Sequence, residues 1–382
     1  MQKRTYNVCR IKIDPPKVAI TSIGTANPVY INSQNAIADL MIKSLSLTST
    51  KKRLLHSIFN ATGIEKRYSV LNDFCKSPED FTFFPNKLGA TFPGTKERMR
   101  LYKDNALLLS LSAIEECISS LEHMNKNNIT HLITVSCTGM YAPGLDIEII
   151  QQLKLKSSIN RTAINFMGCY GAFNAIKVAD AICKSHSQAA VLIVCVEICS
   201  IHFQDNITLD NIIANSIFAD GAAAILVESR PNTKKYFTLE NFYNDLLPSS
   251  ESEMTWFIGD QGFEIGLSKY VPTLIQSGIK NFLSWFQQYG LTLSDIAFYA
   301  IHPGGLKILE ACEKALEMSK EDNRYSYHIL RDYGNMSSAT VLFVLKAIWD
   351  DIKESDHEKN VFSCAFGPGL TMESMVLKIV CL

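Results

Sequence analysis

Two kinds of apolar pattern alternate along the chain. Short, uninterrupted runs of aliphatic and β-branched residues predict strands buried on both faces. They are KVAITSIGT (17–25), HLITVSC (131–137), AAVLIVCVEI (189–198), IAFYAIH (296–302), NVFSCAF and SMVLKIV. Between them lie longer segments with apolar residues three and four apart, which predict helices. These include SQNAIADLMIKSL, STKKRLLHSIFNATG ending at Gly63, residues 96–121, residues 143–153, YVPTLIQSGIKNFLSWFQQYG, GGLKILEACEKALEM and residues 337–352. AINF (163–166) predicts a strand, MGC a tight turn and YGAFNAIKVADAICK a helix. Residues 212–229 predict a helix that turns through Asp220-Gly221 into a strand.

Apolar strands alternating with helices imply an α/β fold whose sheet is covered on both sides. The polar stretch RPNTKK (230–235) carries the best linker signal, and the order of elements is alike before and after it. That predicts a duplicated α/β unit, with an N-terminal half over 1–229 and a C-terminal half over 236–382. A length of 382 residues fits two such units better than one small core.

The formal net charge of −1 removes any global basic field for nucleic acid or an anionic membrane, so an anionic ligand must be held by a local patch. The first residues, MQKRTYNVCRIKIDPPK, hold no apolar run of signal-peptide length, and no stretch is apolar enough to predict a membrane span. The eleven cysteines are odd in number, several sit inside apolar runs, and no CxxC or Cys/His spacing predicts a metal. The expectation is a reducing, cytoplasmic setting with most cysteines acting as small buried hydrophobes.

One cysteine differs. Cys169 follows a strand and Gly168 and opens a helix, so its sulfur faces the positive end of a helix dipole and the thiolate is favoured. Small neighbours, Gly168, Gly171 and Ala172, let a substrate approach. His302 closes an apolar strand and precedes Pro303-Gly304-Gly305, at the kind of strand end where α/β active sites form. Asn335 lies in Tyr-Gly-Asn-Met-Ser-Ser at a predicted helix start. Taken alone, each suits a structural role: buried thiol, strand-end imidazole, helix cap. Together they can act as nucleophile, base and polarising donor. That set also permits a cysteine hydrolase, although nothing marks a water-activating carboxylate.

The local motifs narrow the choice. FMGCYGAF, AIHPGGLKILE, YGNMSSATVLF and AFGPGLTMESMVL occur in this order, and from about residue 17 to the C-terminus the chain resembles the type III polyketide synthases. These are the chalcone and stilbene synthase-like enzymes of the thiolase superfamily. The resemblance implies a thiolase-like fold of duplicated α-β-α-β-α layered halves with mixed sheets, and a homodimer. It implies no cofactor, only acyl-CoA and malonyl-CoA as substrates. Cys169 would carry the acyl group as a thioester, with His302 holding it as a thiolate. His302 and Asn335 would hydrogen-bond the malonyl thioester carbonyl while decarboxylation leaves an enolate. Phe218 matches a gatekeeper phenylalanine, and Gly367, Pro368 and Gly369 match a cavity-wall loop. Ala142-Pro143 matches a site with a cis peptide.

The remaining cavity positions depart from the plant enzymes. Cys137, Cys199 and His202 replace threonines, Trp256 a glycine, Ile265 a second phenylalanine and Ala142 a methionine. Ser337 joins them as a substrate-side residue. This implies a differently shaped pocket, more apolar on one wall. The surroundings of Met254 and Trp256 resemble bacterial members, several of which use fatty acyl starters. For CoA the basic residues of the plant enzymes are missing, which leaves Lys51, Lys52, Arg53 and Lys307 as candidates. The competing expectations are a ketoacyl-carrier-protein synthase making one condensation, and a non-catalytic CoA- or lipid-binding relative.

Overall fold

The apolar runs become neighbours in a sheet. A computed structural model describes residues 17–45, 47–86, 90–121, 125–206 and 208–382. In chain order the first half contains β1 (Ala19–Ala26), β2 (Tyr30–Ser33), α1 (Gln34–Ser44), α2 (Ser49–Asn60), β3 (Lys66–Ser69), α3 (Thr95–Ser119), β4 (His131–Ser136), α4 (Leu145–Leu153), β5 (Asn160–Asn165), α5 (Gly171–Ser185), β6 (Ala190–Ile198), α6 (Leu209–Ile217) and β7 (Asp220–Glu228). The second half contains β8 (Lys235–Leu246), β9 (Met254–Gly259), β10 (Gly262–Leu267), α7 (Val271–Gln288), β11 (Ile296–Ile301), α8 (Leu306–Leu316), α9 (Arg324–Tyr333), α10 (Thr340–Asp351), β12 (Asn360–Gly367) and β13 (Thr371–Cys381).

Nine strands form one mixed sheet in the order β11-β12-β13-β8-β1-β7-β6-β4-β5. Outward from its middle, β1-β7-β6-β4 and β8-β13-β12-β11 follow the same rule: two antiparallel steps, then a parallel one. The two series meet in a short antiparallel junction, where Ala19 pairs with Thr238 and Ile20 with Phe237.

Helices α5 and α10 lie between the strands of the two series. Phe173 and Ile176 of α5 and Val341 and Leu345 of α10 share one core with Val191, Ile193, Val361 and Ala365. This explains why α10 opens with six consecutive buried residues and why every residue of β6 is buried: neither has a solvent side. Outside, α3 and α4 cover the first series (Leu109, Ile114, Ile149) and α7 and α8 the second (Ile275, Phe282, Leu309). The result is the α-β-α-β-α layering. Helices α1 and α2 stand to one side over a cluster containing Phe59, Phe74 and Phe203.

Several features differ from the pattern-based expectation, among them β2, β3 and α9, which no apolar run or periodic segment predicts. Lys235 already belongs to β8, so the polar stretch is a tight connection. In addition, β8, β9 and β10 occupy a region where the apolar-run criterion picks out no strand. Most of their side chains are only partly buried and polar residues interrupt the apolar ones, which an apolar-run criterion passes over. The Ala142-Pro143 peptide is cis.

Candidate active site

Cys169 owes its position to a reversal after β5. Phe166 (φ 60°) and Gly168 (φ 78°) turn the chain sharply, and one 3-10 turn, Gly168–Tyr170, delivers the sulfur ahead of α5. Glycine is required: a Cβ at Gly168 would lie 2.5 Å from Pro368 Cδ, so the Gly-Pro-Gly loop of the second half rests on this turn. The Gly168 N–H donates to Cys137 Sγ at 3.0 Å.

His302 leaves the end of β11, where its N–H donates to the Cys364 carbonyl of β12 at 2.8 Å. The residue is 1% exposed, and neither ring nitrogen has a partner among the described residues. Asn335 sits between α9 and α10. Its backbone bridges Phe218, with its N–H donating to Ile217 O at 2.8 Å and its carbonyl accepting from Ala219 N–H at 2.9 Å. Its side chain is oriented twice over. Oδ1 accepts from Ser337 N–H at 2.8 Å, and Nδ2 donates to the Gly304 carbonyl at 3.3 Å. That leaves Nδ2 4.0 Å from Cys169 Sγ.

Cys169, His302 and Asn335 line one cavity of about 680 Å³. Phe218, Cys137, Cys199, His202, Trp256, Ile265, Ser337 and Pro368 line it as well. Gly367 and Gly369 flank Pro368 without lining the cavity, and a Cβ at Gly367 would strike the Tyr170 ring. Lys307 reaches the lining and is exposed, whereas Lys51, Lys52 and Arg53 lie on the exposed face of α2 and are not in it. Lys269 lines the cavity and is also exposed. No sequence motif marks it; it is one of many surface lysines until the fold places it there.

Trp256 and His202 brace one wall. Trp256 Nε1–H donates to the Cys137 carbonyl at 2.8 Å, and His202 Nε2–H donates to the Thr138 carbonyl at 2.7 Å. His202 Nδ1 accepts from Phe263 N–H at 3.0 Å, and its ring stacks on Phe263 with centroids 4.2 Å apart. The β9–β10 hairpin is thereby tied to the chain leaving β4. Burial holds His202 neutral and lowers its pKa to about 3.

A buried carboxylate stands behind the sulfur. Glu197, at the end of β6, is fully buried and accepts from Cys137 N–H at 3.0 Å, from Thr138 Oγ1 at 2.8 Å and from the Ser338 hydroxyl. Burial raises its pKa. The lone acidic residue inside an otherwise apolar strand was the available signal for it.

These surroundings change the protonation expected of Cys169. Burial pushes the thiol up to about 12, Glu197 adds to the rise, and hydrogen bonds to Ser337 and Asn335 only partly offset it. Raising a thiol from 9.0 to about 12 corresponds to about 4 kcal/mol, more than the ~2 kcal/mol a helix N-terminus can return. Burial also lowers His302 to about 3. Burial thus works against the thiolate that the helix start favours. Chemically, the site offers a shielded nucleophile, a free base and a fixed amide donor in one cavity, a set suited to acyl transfer. Among the described residues, no group of three or more His, Cys, Asp or Glu could hold a metal ion.

The layered fold and this cavity define a condensing acyltransferase. Family models described as the N-terminal and C-terminal domains of chalcone and stilbene synthases match residues 7–231 and 238–381. The chain belongs to that family, the type III polyketide synthases.

It is 27% identical to the alpha-pyrone synthesis polyketide synthase-like Pks18 of Mycobacterium tuberculosis, over 99% of this chain and 96% of that protein. Polyketide synthase 37 of Dictyostelium discoideum is 31% identical over 89% of this chain, which corresponds to 11% of that longer protein. Among solved structures, PKS-I from the brown alga Ectocarpus siliculosus superposes with a TM-score of 0.87 at 27% identity, covering 97% of this chain and all of that one. The C-terminal type III polyketide synthase domain of Steely1, a type I/III hybrid from Dictyostelium, gives 0.86 at 27% identity, covering 95% and 99%.

Proposed function

We propose that the chain takes an acyl group from acyl-CoA onto Cys169, lengthens it with malonyl-CoA and releases a cyclised polyketide. His302 accepts the Cys169 proton as the sulfur attacks the thioester, and CoA leaves as its thiol. Malonyl-CoA then loses carbon dioxide. The electron pair of the broken bond becomes an enolate whose oxygen is held by His302 and the Asn335 Nδ2–H, and the enolate displaces the chain from sulfur. The observation that carries this reading is the meeting of Cys169, His302 and Asn335 in one cavity, with Asn335 Nδ2 fixed 4.0 Å from the sulfur.

Phe218 separates the CoA passage from the reaction chamber, and Lys269 and Lys307 at the exposed rim meet the CoA phosphates. The starter is a long aliphatic acyl group, a reading supported by the apolar wall around Ile265 and Trp256. By analogy with the name of the Mycobacterium relative, ring closure gives an α-pyrone. The enzyme works as a two-fold homodimer in the cytoplasm, and no helix among the described residues is long and apolar enough to cross a membrane. Malonyl-CoA with a panel of aliphatic and aromatic acyl-CoAs, followed by mass spectrometry, tests the reading. Products carrying several malonyl-derived units from fatty starters are expected, and none from Cys169→Ala. Product from aromatic starters alone would refute the starter assignment, and a single added unit would refute repeated extension.

A further inference from the structure

Behind Phe218 the cavity wall holds two hydrogen-bond donors that the chemistry above does not use. Strands β2 and β3 form a ribbon in which Asn32 stands directly opposite Arg67, so both side chains leave the same face. Both line the cavity, and each is 5% exposed. Arg67 Nε donates to Gln34 Oε1 at 3.0 Å, and Nη1 donates to the carbonyls of Asn215 at 2.8 Å and Phe218 at 2.6 Å. Arg67 Nη2 has no partner among the described residues, and neither has Asn32 Nδ2, whose Oδ1 accepts from the Cys75 thiol at 3.1 Å. Two buried N–H donors side by side, one on a cation, call for an oxygen acceptor.

The charge selects among acceptors. Burial lowers Arg67 to about 9, which leaves it ionised at neutral pH. Asp220 attracts it from a distance but spends its own oxygens on Val70 N–H, Ser200 N–H and the Ser200 hydroxyl. Lys269 and Lys307 stay exposed at the rim, where they suit phosphates. Arg67 is thus the arginine or lysine that lines this cavity while buried. Its anchor, Phe218, is bridged through the backbone to Asn335, whose amide nitrogen lies 4.0 Å from the Cys169 sulfur. Of the acyl groups in the proposed reaction, the malonyl group alone carries a negative charge.

We propose that Asn32 and Arg67 form a carboxylate subsite that selects and orients the malonyl extender; this rests on the condensing reading above. The carboxylate accepts from Arg67 Nη2 and Asn32 Nδ2 while the thioester oxygen meets His302 and Asn335. When the carbon–carbon bond breaks, its electrons pass to the enolate and carbon dioxide departs with no proton transfer. Contacts made before the chemical step affect KM more than kcat.

The test uses Asn32, because Arg67 also braces the Phe218 backbone. Asn32→Leu removes the free donor and Asn32→Asp places a like charge at the subsite. Malonyl-CoA decarboxylation and consumption are measured in the full-length enzyme, with loading of Cys169 by the starter followed by mass spectrometry and acetyl-CoA tested as a competitor lacking the carboxylate. The expected result is a malonyl-CoA KM raised about tenfold in Asn32→Leu and further in Asn32→Asp, with starter loading and acetyl-CoA inhibition unchanged. KM values within twofold of wild type overturn the subsite. An altered product pattern at unchanged KM also overturns it, because the donors would then serve the growing chain. A wild-type enzyme that loads no acyl group on Cys169 instead refutes the condensing reading, and the subsite with it.

Discussion

Replacing Gly168 by alanine isolates what holds the nucleophile in place. Two costs should appear. The φ of 78° puts an L-residue in the left-handed region, which costs about 1–2 kcal/mol. The new methyl would also lie 2.5 Å from Pro368 Cδ, against the 3.5–4.0 Å of an ordinary carbon contact, so the Cys169 turn or the Pro368 ring must give by about 1 Å. Overpacking of this kind costs a further 1–3 kcal/mol or so.

Gly290→Ala is the control, because Gly290 has a similar φ of 69° and nothing within 4 Å of its added Cβ. It carries the backbone cost alone. Thermal unfolding should show a clearly larger Tm drop for Gly168→Ala than for Gly290→Ala. Loading of Cys169 by acyl-CoA, followed by mass spectrometry, should fall roughly 100-fold in Gly168→Ala, the scale expected of a ~1 Å misplacement, and remain normal in the control. Equal Tm losses with normal loading in both would show that Pro368 yields freely and that the second-half loop does not fix the nucleophile.

Three further outcomes follow from the site. Glu197→Gln removes a buried negative charge that raises the Cys169 pKa, so the pH midpoint of Cys169 alkylation by iodoacetamide should fall; an unchanged or higher midpoint would contradict the assigned role. His202 and His302, both near 3 when folded, are ordinarily near 6.5, so below pH 6.5 the unfolded chain takes up protons that the folded one refuses. Stability should therefore be lost on acidification from 6.5 toward 3, by about 1.4 kcal/mol per pH unit per histidine. Tm should consequently fall less steeply between pH 6.5 and 4.5 in His202→Gln, and an equal slope would refute this. Lys269→Ala and Lys307→Ala should each raise the KM for acyl-CoA about two- to fivefold, the scale of an exposed ion pair, while Lys51→Ala should not. The reverse ranking would move the CoA site onto α2.

Much of the layered fold is legible from local pattern. Runs such as AAVLIVCVEI can be satisfied only by burial on both faces, and the repeated order of strands and helices points to a duplicated unit. The change from α6 to β7 was legible but its turn was misplaced: the helix ends at Ile217, and Asp220-Gly221 already opens the strand, where Gly221 leaves room for Met336. Strands β8 to β10 were not legible. Their mixed polar and apolar pattern acquires meaning only beside β13 or against the cavity.

The same division holds within the site. The residues around Cys169, His302 and Asn335 form ordered motifs that the chain spells out directly, so the family and the reaction class are properties of the sequence. Which lysines reach the cavity, how Trp256 and His202 brace its wall, and that Asn32 faces Arg67 depend on register and packing between distant segments. The thiol is the clearest case. A helix start favours the thiolate locally, whereas desolvation by surrounding elements and the charge of Glu197 push the other way. Periodicity and motif are carried by neighbours in the chain, but the electrostatic state of a buried group sums over neighbours in space, and only the tertiary structure decides which those are.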